Sequence, residues 1–192
     1  MNSVTKEFLK EKRACSDGFE WFCKNCLGLP LETQIQKLSE HRYNWANWLL
    51  VRLMTKQQKR QYAIFVTEHV IDIFKKIYPN DKRARKTIKV AKKVLEKDTY
   101  KNRAAAAVAA SVAYIAAVAD SVAYATAAAV AYSASATYAT YAAYYAATVV
   151  ATDTTYYAVI VAATDFVAAA ADATELKQKI INYGIELIKD SK

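Results

Sequence analysis

The chain has 192 residues, 54% of them hydrophobic, and a formal net charge of +9, with only three glycines and two prolines. That length suffices for a buried core and for one large or two small domains, while so few glycines leave no phosphate loop, nucleophile elbow or dinucleotide fingerprint. With two histidines and no side chains at acid, base and nucleophile spacing, the composition speaks against catalysis and calls for no cofactor.

The charge is divided along the chain. Residues 1–103 hold 23 Lys and Arg against 11 Asp and Glu, whereas residues 104–192 hold 4 against 7. A basic half beside a faintly acidic half points to an anionic partner for the first. The expected organisation follows the same division. A basic helical region covers 1–103, and an Ala- and Tyr-rich helical region covers 104–192 and ends in an amphipathic helix at 174–190, the two forming one continuous globular unit.

Residues 1–13 scatter Glu7 and Glu11 among lysines and hold no apolar run of signal-peptide length, so a cytoplasmic protein is expected. Residues 5–13 read as a short charged helix anchored by Phe8 and Leu9. Asp17-Gly18-Phe19-Glu20 has the pattern of a capping box with Asp17 at the N-cap, leading into Trp21, Phe22 and Cys26. Gly28-Leu29-Pro30 stops that helix. Cys15, Cys23 and Cys26, with His41, have the inventory of a zinc site. They fall on one helical face without a second ligand cluster, so small, buried, reduced thiols are expected and no metal.

A brief helix is expected over 31–38 and an apolar one over 44–54. His41, Trp45, Trp48 and Arg52, spaced four, three and four, share one helical face. Two tryptophans beside an arginine have the chemistry to clamp a planar anionic ligand; the plainer reading is a core stripe with Arg52 at its edge. Residues 56–60 form a basic joint. Residues 62–78 are amphipathic, with Phe65, His69, Asp72 and Lys76 on one side and Ala63, Val66, Val70 and Ile73 on another. Glu68 and Asp72 read as partners of nearby Arg or Lys. Pro79-Asn80-Asp81 breaks the chain and caps the next helix.

The most pointed functional feature spans 82–101. Lys82, Lys86, Lys89, Lys93 and Lys97 fall within one narrow helical sector, with Ala84, Ile88, Ala91 and Leu95 opposite. Arg83, Arg85 and Lys92 flank this ridge, and Asp81, Glu96 and Asp98 oppose it. One sign dominates so far that mutual repulsion has to be tolerated, which points to anion binding.

Residues 104–174 are almost entirely Ala, Tyr, Val, Thr and Ser, with no Lys, Arg, Gly or Pro, and their only charges are Asp120, Asp153, Asp165 and Asp172. Such a stretch is expected to be helical. As one straight helix, 104–192 would run about 130 Å, so turns are expected at 120–121, 133–137, 152–155, 164–165 and 172–174, where Ser, Thr and Asp compete for backbone hydrogen bonds. Tyr114, Tyr124, Tyr132, Tyr138, Tyr141, Tyr144, Tyr145, Tyr156 and Tyr157 supply the large apolar area of an Ala-rich core; a base-stacking platform is the sharper alternative. No window is apolar enough to predict a membrane span. The fold class expected is all-α, a compact multi-helix bundle in which amphipathic N-terminal helices pack with short stacked Ala- and Tyr-rich helices.

Ala14-Cys15 with Gly18 and Trp21, then Trp45-Ala-Asn-Trp48-Leu-Leu, Tyr62-Ala-Ile-Phe65, Val70-Ile-Asp72-Ile-Phe74 and Tyr78-Pro79-Asn80-Asp81 with Arg83 and Arg85, follow one another ahead of an Ala- and Tyr-rich tail. In that order they resemble the helical "putative immunity protein" family of bacterial and phage genomes over nearly the whole chain. The resemblance implies a small intracellular protein that protects by binding and not by catalysis. Immunity proteins that face basic nuclease toxins tend to be acidic, whereas this chain is basic. It is better matched to an acidic effector protein, or to a phosphate-bearing nucleotide signal that a phage would sequester as counter-defence. The residues expected to bind are Lys82, Arg83, Arg85, Lys86, Lys89 and Lys93, with Arg52, Trp45 and Trp48. Three other readings stand beside this one: toxin neutralisation through a protein–protein interface, nonspecific nucleic-acid binding, and self-association into a homo-oligomer through close Ala faces.

Overall fold

Every regular element is helical among the residues described by the computed structural model, which are 2–77, 82–102, 104–106 and 173–189, with the backbone alone given for 70–77, 83, 84, 87 and 173. The fold is all-α, as the composition predicts. By proximity the chain divides into two compact units, Met1–Met54 with Lys177–Lys192, and Thr55–Leu176.

In the first unit, α1 (Lys6–Glu11) begins where the Thr5 hydroxyl accepts a hydrogen bond from the Phe8 N–H at 3.3 Å. It ends in a Schellman motif. The Ala14 N–H donates to Leu9 O at 2.9 Å and the Arg13 N–H to Lys10 O at 3.0 Å, with Arg13 left-handed at φ 56° where glycine is customary. The next helix, α2 (Ser16–Asn25), starts earlier than a cap at Asp17 requires. Its first bond runs from the Phe19 N–H to Cys15 O at 2.8 Å, Cys15 is the N-cap without a side-chain bond, and Asp17 sits in the first turn, where it complements the helix dipole. Gly28, at φ 78°, makes the turn that follows.

The helix α3 (Leu31–His41) is longer than the brief helix expected, and only Arg42, in extended backbone, separates it from α4 (Tyr43–Leu53). These two helices pack together, and α1 packs with α2. Ile35 and Leu38 of α3 and Ala46, Leu49 and Leu50 of α4 are buried, each large aliphatic side chain contributing about 1.5–3 kcal/mol. Among them lies Gln34, fully buried. Its carbonyl oxygen accepts from the Val4 N–H at 2.7 Å, and its amide donates to Val4 O at 3.1 Å and Cys26 O at 3.0 Å. Such complete pairing is what keeps a buried amide from destabilising the core. The C-terminal helix α7 (Ala173–Lys189) buries Ile180, Ile181, Ile185 and Leu187. At its rim, the Gln178 amide donates to Gln36 Oε1 at 2.9 Å, the Gln36 amide donates to Asn182 Oδ1 at 3.0 Å, and Lys189 pairs with Glu32 at 2.6 Å.

In the second unit, α5 (Lys56–Ile77) begins six residues before the start expected from periodicity. The reason is a reciprocal cap. The Thr55 N–H donates to Gln58 Oε1 at 2.8 Å, while the Gln58 N–H donates to Thr55 Oγ1 at 3.4 Å, so the expected basic joint is the first turn of a helix. Tyr62, Ala63, Ile64, Val66 and Thr67 are buried, and the Thr67 hydroxyl donates back to Ala63 O at 2.7 Å. The helix α6 (Arg83–Glu96) packs with α5. Residues 100–102 and 104–106 are helical again. The turns and tyrosines expected between residues 107 and 172 lie outside the described residues, as does Pro79-Asn80-Asp81. No helix among the described residues is long and apolar enough to cross a membrane.

Candidate functional site

The basic ridge is built on α6. Ile88, Ala91 and Val94 are 4% exposed or less, so the buried face is centred on Ala91, with Val94 taking the place expected of Leu95, which is half-buried. The side chain of Ala84 is not described. A helix seated on that face turns Lys82, Lys86, Lys89, Lys93 and Lys97 to the opposite side, and all five are exposed. Arg85 is exposed as well. For Arg83 only the backbone is described; it is the first residue of the helix.

The electrostatics of this helix run against its own stability. Lys82 is the N-cap, without a side-chain bond, and the first turn holds no acidic residue, so cations stand at the end of the dipole that favours anions. Between positions 82 and 97 the sequence holds eight Lys or Arg and a single carboxylate, Glu96, which borders the ridge and is exposed. The pairs Lys82/Lys86, Lys86/Lys89, Lys89/Lys93 and Lys93/Lys97 are like charges at helical contact spacing, which together cost on the order of 1 kcal/mol.

Two nearby carboxylates, Glu68 and Asp98, have other partners. Glu68 on α5 pairs with Lys92, beside the ridge, which fits the expected ion-pair role of Glu68. Asp98 accepts from Arg60 Nη1 at 3.0 Å, and the Arg60 side chain is only 4% exposed. None of Lys82, Lys86, Lys89, Lys93 and Lys97 is within ion-pair distance of a carboxylate among the described residues. Beyond α6, the Asn102 amide donates to Lys93 O at 3.1 Å and Lys97 O at 2.7 Å, sealing the helix end, and the Asn102 N–H donates to Thr99 Oγ1 at 3.2 Å.

The aromatic residues expected to join the ridge are arranged differently. The break at Arg42 takes His41 off α4 and onto the last turn of α3. There it stacks on Trp21 with ring centroids 4.2 Å apart and planes 3° from parallel. Trp45 tilts against both rings, at 6.4 Å from Trp21 and 5.5 Å from His41, with the Arg42 guanidinium 4.9 Å above it. Gly18 lies beside the cluster; a Cβ there would meet the Trp45 ring at an ordinary 3.6 Å but would crowd Cys15 Sγ at 3.1 Å. Farther along α4, the Arg52 guanidinium lies 4.4 Å over the Trp48 ring. The expected clamp is thus two separate cation–π arrangements. The spacing of His41 and Trp45 is the one sequence signal for the larger of them; nothing local announces Trp21.

The thiols do not share the buried environment expected of them. Cys15 is exposed, Cys23 half-buried and Cys26 buried, and burial pushes the Cys26 thiol above its ordinary value, with Lys37 opposing. Among the described residues no group of three or more His, Cys, Asp or Glu is placed to hold a metal ion. Tyr43 has a buried hydroxyl whose pKa is raised by desolvation, with the Asn47 side chain opposing.

Residues 49–165 match the family described as Imm-5 like putative immunity protein. No curated protein and no solved structure matched the chain. The matched segment contains α5, α6, Arg52 and every lysine and arginine of the ridge, and leaves out Trp21, His41, Trp45 and Trp48. It spans more than half of the 192 residues, and the chain belongs to the Imm-5 like putative immunity protein family.

Proposed function

We propose that this protein is a non-catalytic, cytoplasmic binding protein of immunity or counter-defence type, which neutralises an anionic partner by holding it along α6. The partner is a phosphate-bearing small molecule such as a nucleotide signal, or an acidic effector protein. The observation that carries this reading is the row formed by Lys86, Lys89 and Lys93, exposed on a well-seated helix with no carboxylate partner among the described residues. Uncompensated like charge on an ordered helix lowers stability and raises the local potential for anions. Lys82, exposed at the N-cap, extends that potential toward the amino-terminal end, where Arg83 and Arg85 follow in sequence. Arg52 and Trp48, stacked on each other within the first unit, are not counted in this row.

The test is the triple variant Lys86→Glu, Lys89→Glu and Lys93→Glu, compared with the parent by native mass spectrometry after purification from producing cells and by titration with inorganic tripolyphosphate. Loss of any retained anionic mass, with at least a tenfold fall in tripolyphosphate affinity and unchanged helical circular dichroism, is expected. Equal affinity in the two proteins rules the ridge out. Affinity for DNA or RNA that ignores sequence and falls steeply with salt moves the reading to a nonspecific nucleic-acid binder.

A second reading, toxin neutralisation through a protein interface, draws on Trp21, His41, Arg42 and Trp45. Trp and Arg are the residue types that dominate binding hot spots, and Trp21 and Trp45 are half-buried while His41 and Arg42 are exposed. It predicts that Trp45→Ala, and not the ridge variant, abolishes capture of a protein partner.

A further inference from the structure

We propose that Tyr100 is the ring-stacking end of the lysine ridge, so that the ligand is a nucleotide, carrying a flat base beside its phosphates. This rests on the ridge reading above and narrows it. Tyr100 is 84% exposed, the one large hydrophobic side chain so exposed among the described residues. An apolar ring left in water at the end of a cationic row is an unusual placement for a residue that otherwise buries its ring and wets its hydroxyl.

The ring is held in position on a firm base. Asn102 ties the residues after α6 to the carbonyls of Lys93 and Lys97, and Thr99 Oγ1 caps the turn that contains Tyr100. Asp98, between ridge and ring, is anchored by the buried Arg60 at 3.0 Å, so its charge is matched. Lys97 and Lys101 stand on either side of Tyr100 in sequence, both exposed. Three residues of chain reach at most about 11 Å, so an anion on Lys97 and a ring on Tyr100 are close enough to belong to one small molecule, and the Asn102 bond to Lys93 O holds the Lys93 backbone at the same end. Successive ridge lysines rise by about 4.5–6 Å, which lets two of them share one oligophosphate. A bare polyanion has no use for the exposed ring, and an acidic peptide offers it no extended flat face. A base stacks on it whatever its identity.

The experiment titrates the full chain with adenosine triphosphate and, in parallel, with inorganic tripolyphosphate, for the parent, Tyr100→Ala, Tyr100→Phe and the triple Glu variant of the ridge. Stacking of one base corresponds to roughly ten- to a hundredfold in affinity. The expected result is that Tyr100→Ala weakens adenosine triphosphate by that factor, leaves tripolyphosphate within twofold, and is rescued by Tyr100→Phe. An adenylate decamer bound more tightly with the same Tyr100 dependence also supports base stacking and assigns the source to a strand. Adenosine triphosphate binding that is unchanged in Tyr100→Ala but lost in the ridge variant overturns this inference and leaves the ridge reading standing. A parent chain that binds neither compound overturns both. Polyglutamate held more tightly than either phosphate compound, with dependence on Tyr100, also overturns it, in favour of an acidic protein.

Discussion

The two units treat polar and charged groups in opposite ways. In the first, cations are folded onto rings and carboxylates. Arg42 lies over Trp45, Arg52 over Trp48, Lys10 over Phe19 and Lys12 over Phe8, while Lys189 meets Glu32. Even the fully buried Gln34 has bonds at both ends of its amide. In the described part of the second, α5 and α6 pair Arg60 and Lys92 with carboxylates and leave the row Lys82, Lys86, Lys89, Lys93 and Lys97 open. The difference teaches that a charge count alone says little about binding. What matters is which cations the fold has already engaged, and +9 overall counts engaged and open cations alike.

The largest effect is expected where closure is most complete. Gln34→Leu leaves the Val4 N–H, Val4 O and Cys26 O without their buried partner, and at about 1–3 kcal/mol for each group not re-paired the first unit is expected to lose at least about 3 kcal/mol, read as a large drop in the urea midpoint. A midpoint within error of the parent would break the comparison on its closed side. A smaller loss, about 1 kcal/mol, is expected for Arg52→Ala, because the guanidinium and its stem both leave the Trp48 face; a Trp fluorescence melt checks it. The smallest effect belongs to the open side. Replacing Lys86, Lys89 and Lys93 together by Ala is expected to change stability by no more than about 1 kcal/mol, and upward, since it removes like-charge neighbours and adds helix propensity. A clear loss of thermal stability in that variant would mean that the lysines serve packing, and the contrast between units would fail.

Much of this was legible from residue order, and the exceptions share a cause. The seating of α6 follows from periodicity, because Ile88, Ala91 and the lysines sit 3.6 residues per turn around one axis whatever they pack against. The start of α5 was also written in the sequence, as Thr55-Lys-Gln-Gln58, but the surrounding Lys56, Lys59 and Arg60 suggested a solvated joint; Arg60 is in fact 3% exposed. Helices α2 and α6 begin at Cys15 and Lys82, neither of which makes a side-chain cap, so no capping residue marks either boundary. The Trp21–His41 stack joins residues 20 apart across two helices, and the Asn102 bonds to Lys93 and Lys97 cross the break after α6. Periodicity reports what one helix does to its own faces; contacts made after the chain has turned need coordinates.

One consequence of the Gln34 amide concerns the leading residues. Val4 N–H and Val4 O are both held by that side chain, and two residues earlier Asn2 O accepts from the Leu31 N–H at 2.9 Å. A side chain and a helix start thus hold this segment and fix its register, with the Val4 N–H, Val4 O and Asn2 O each engaged. Trimming through position 4 therefore strands the side-chain carbonyl oxygen of the buried Gln34 just as changing Gln34 strands Val4, and it removes the buried Val4 side chain as well.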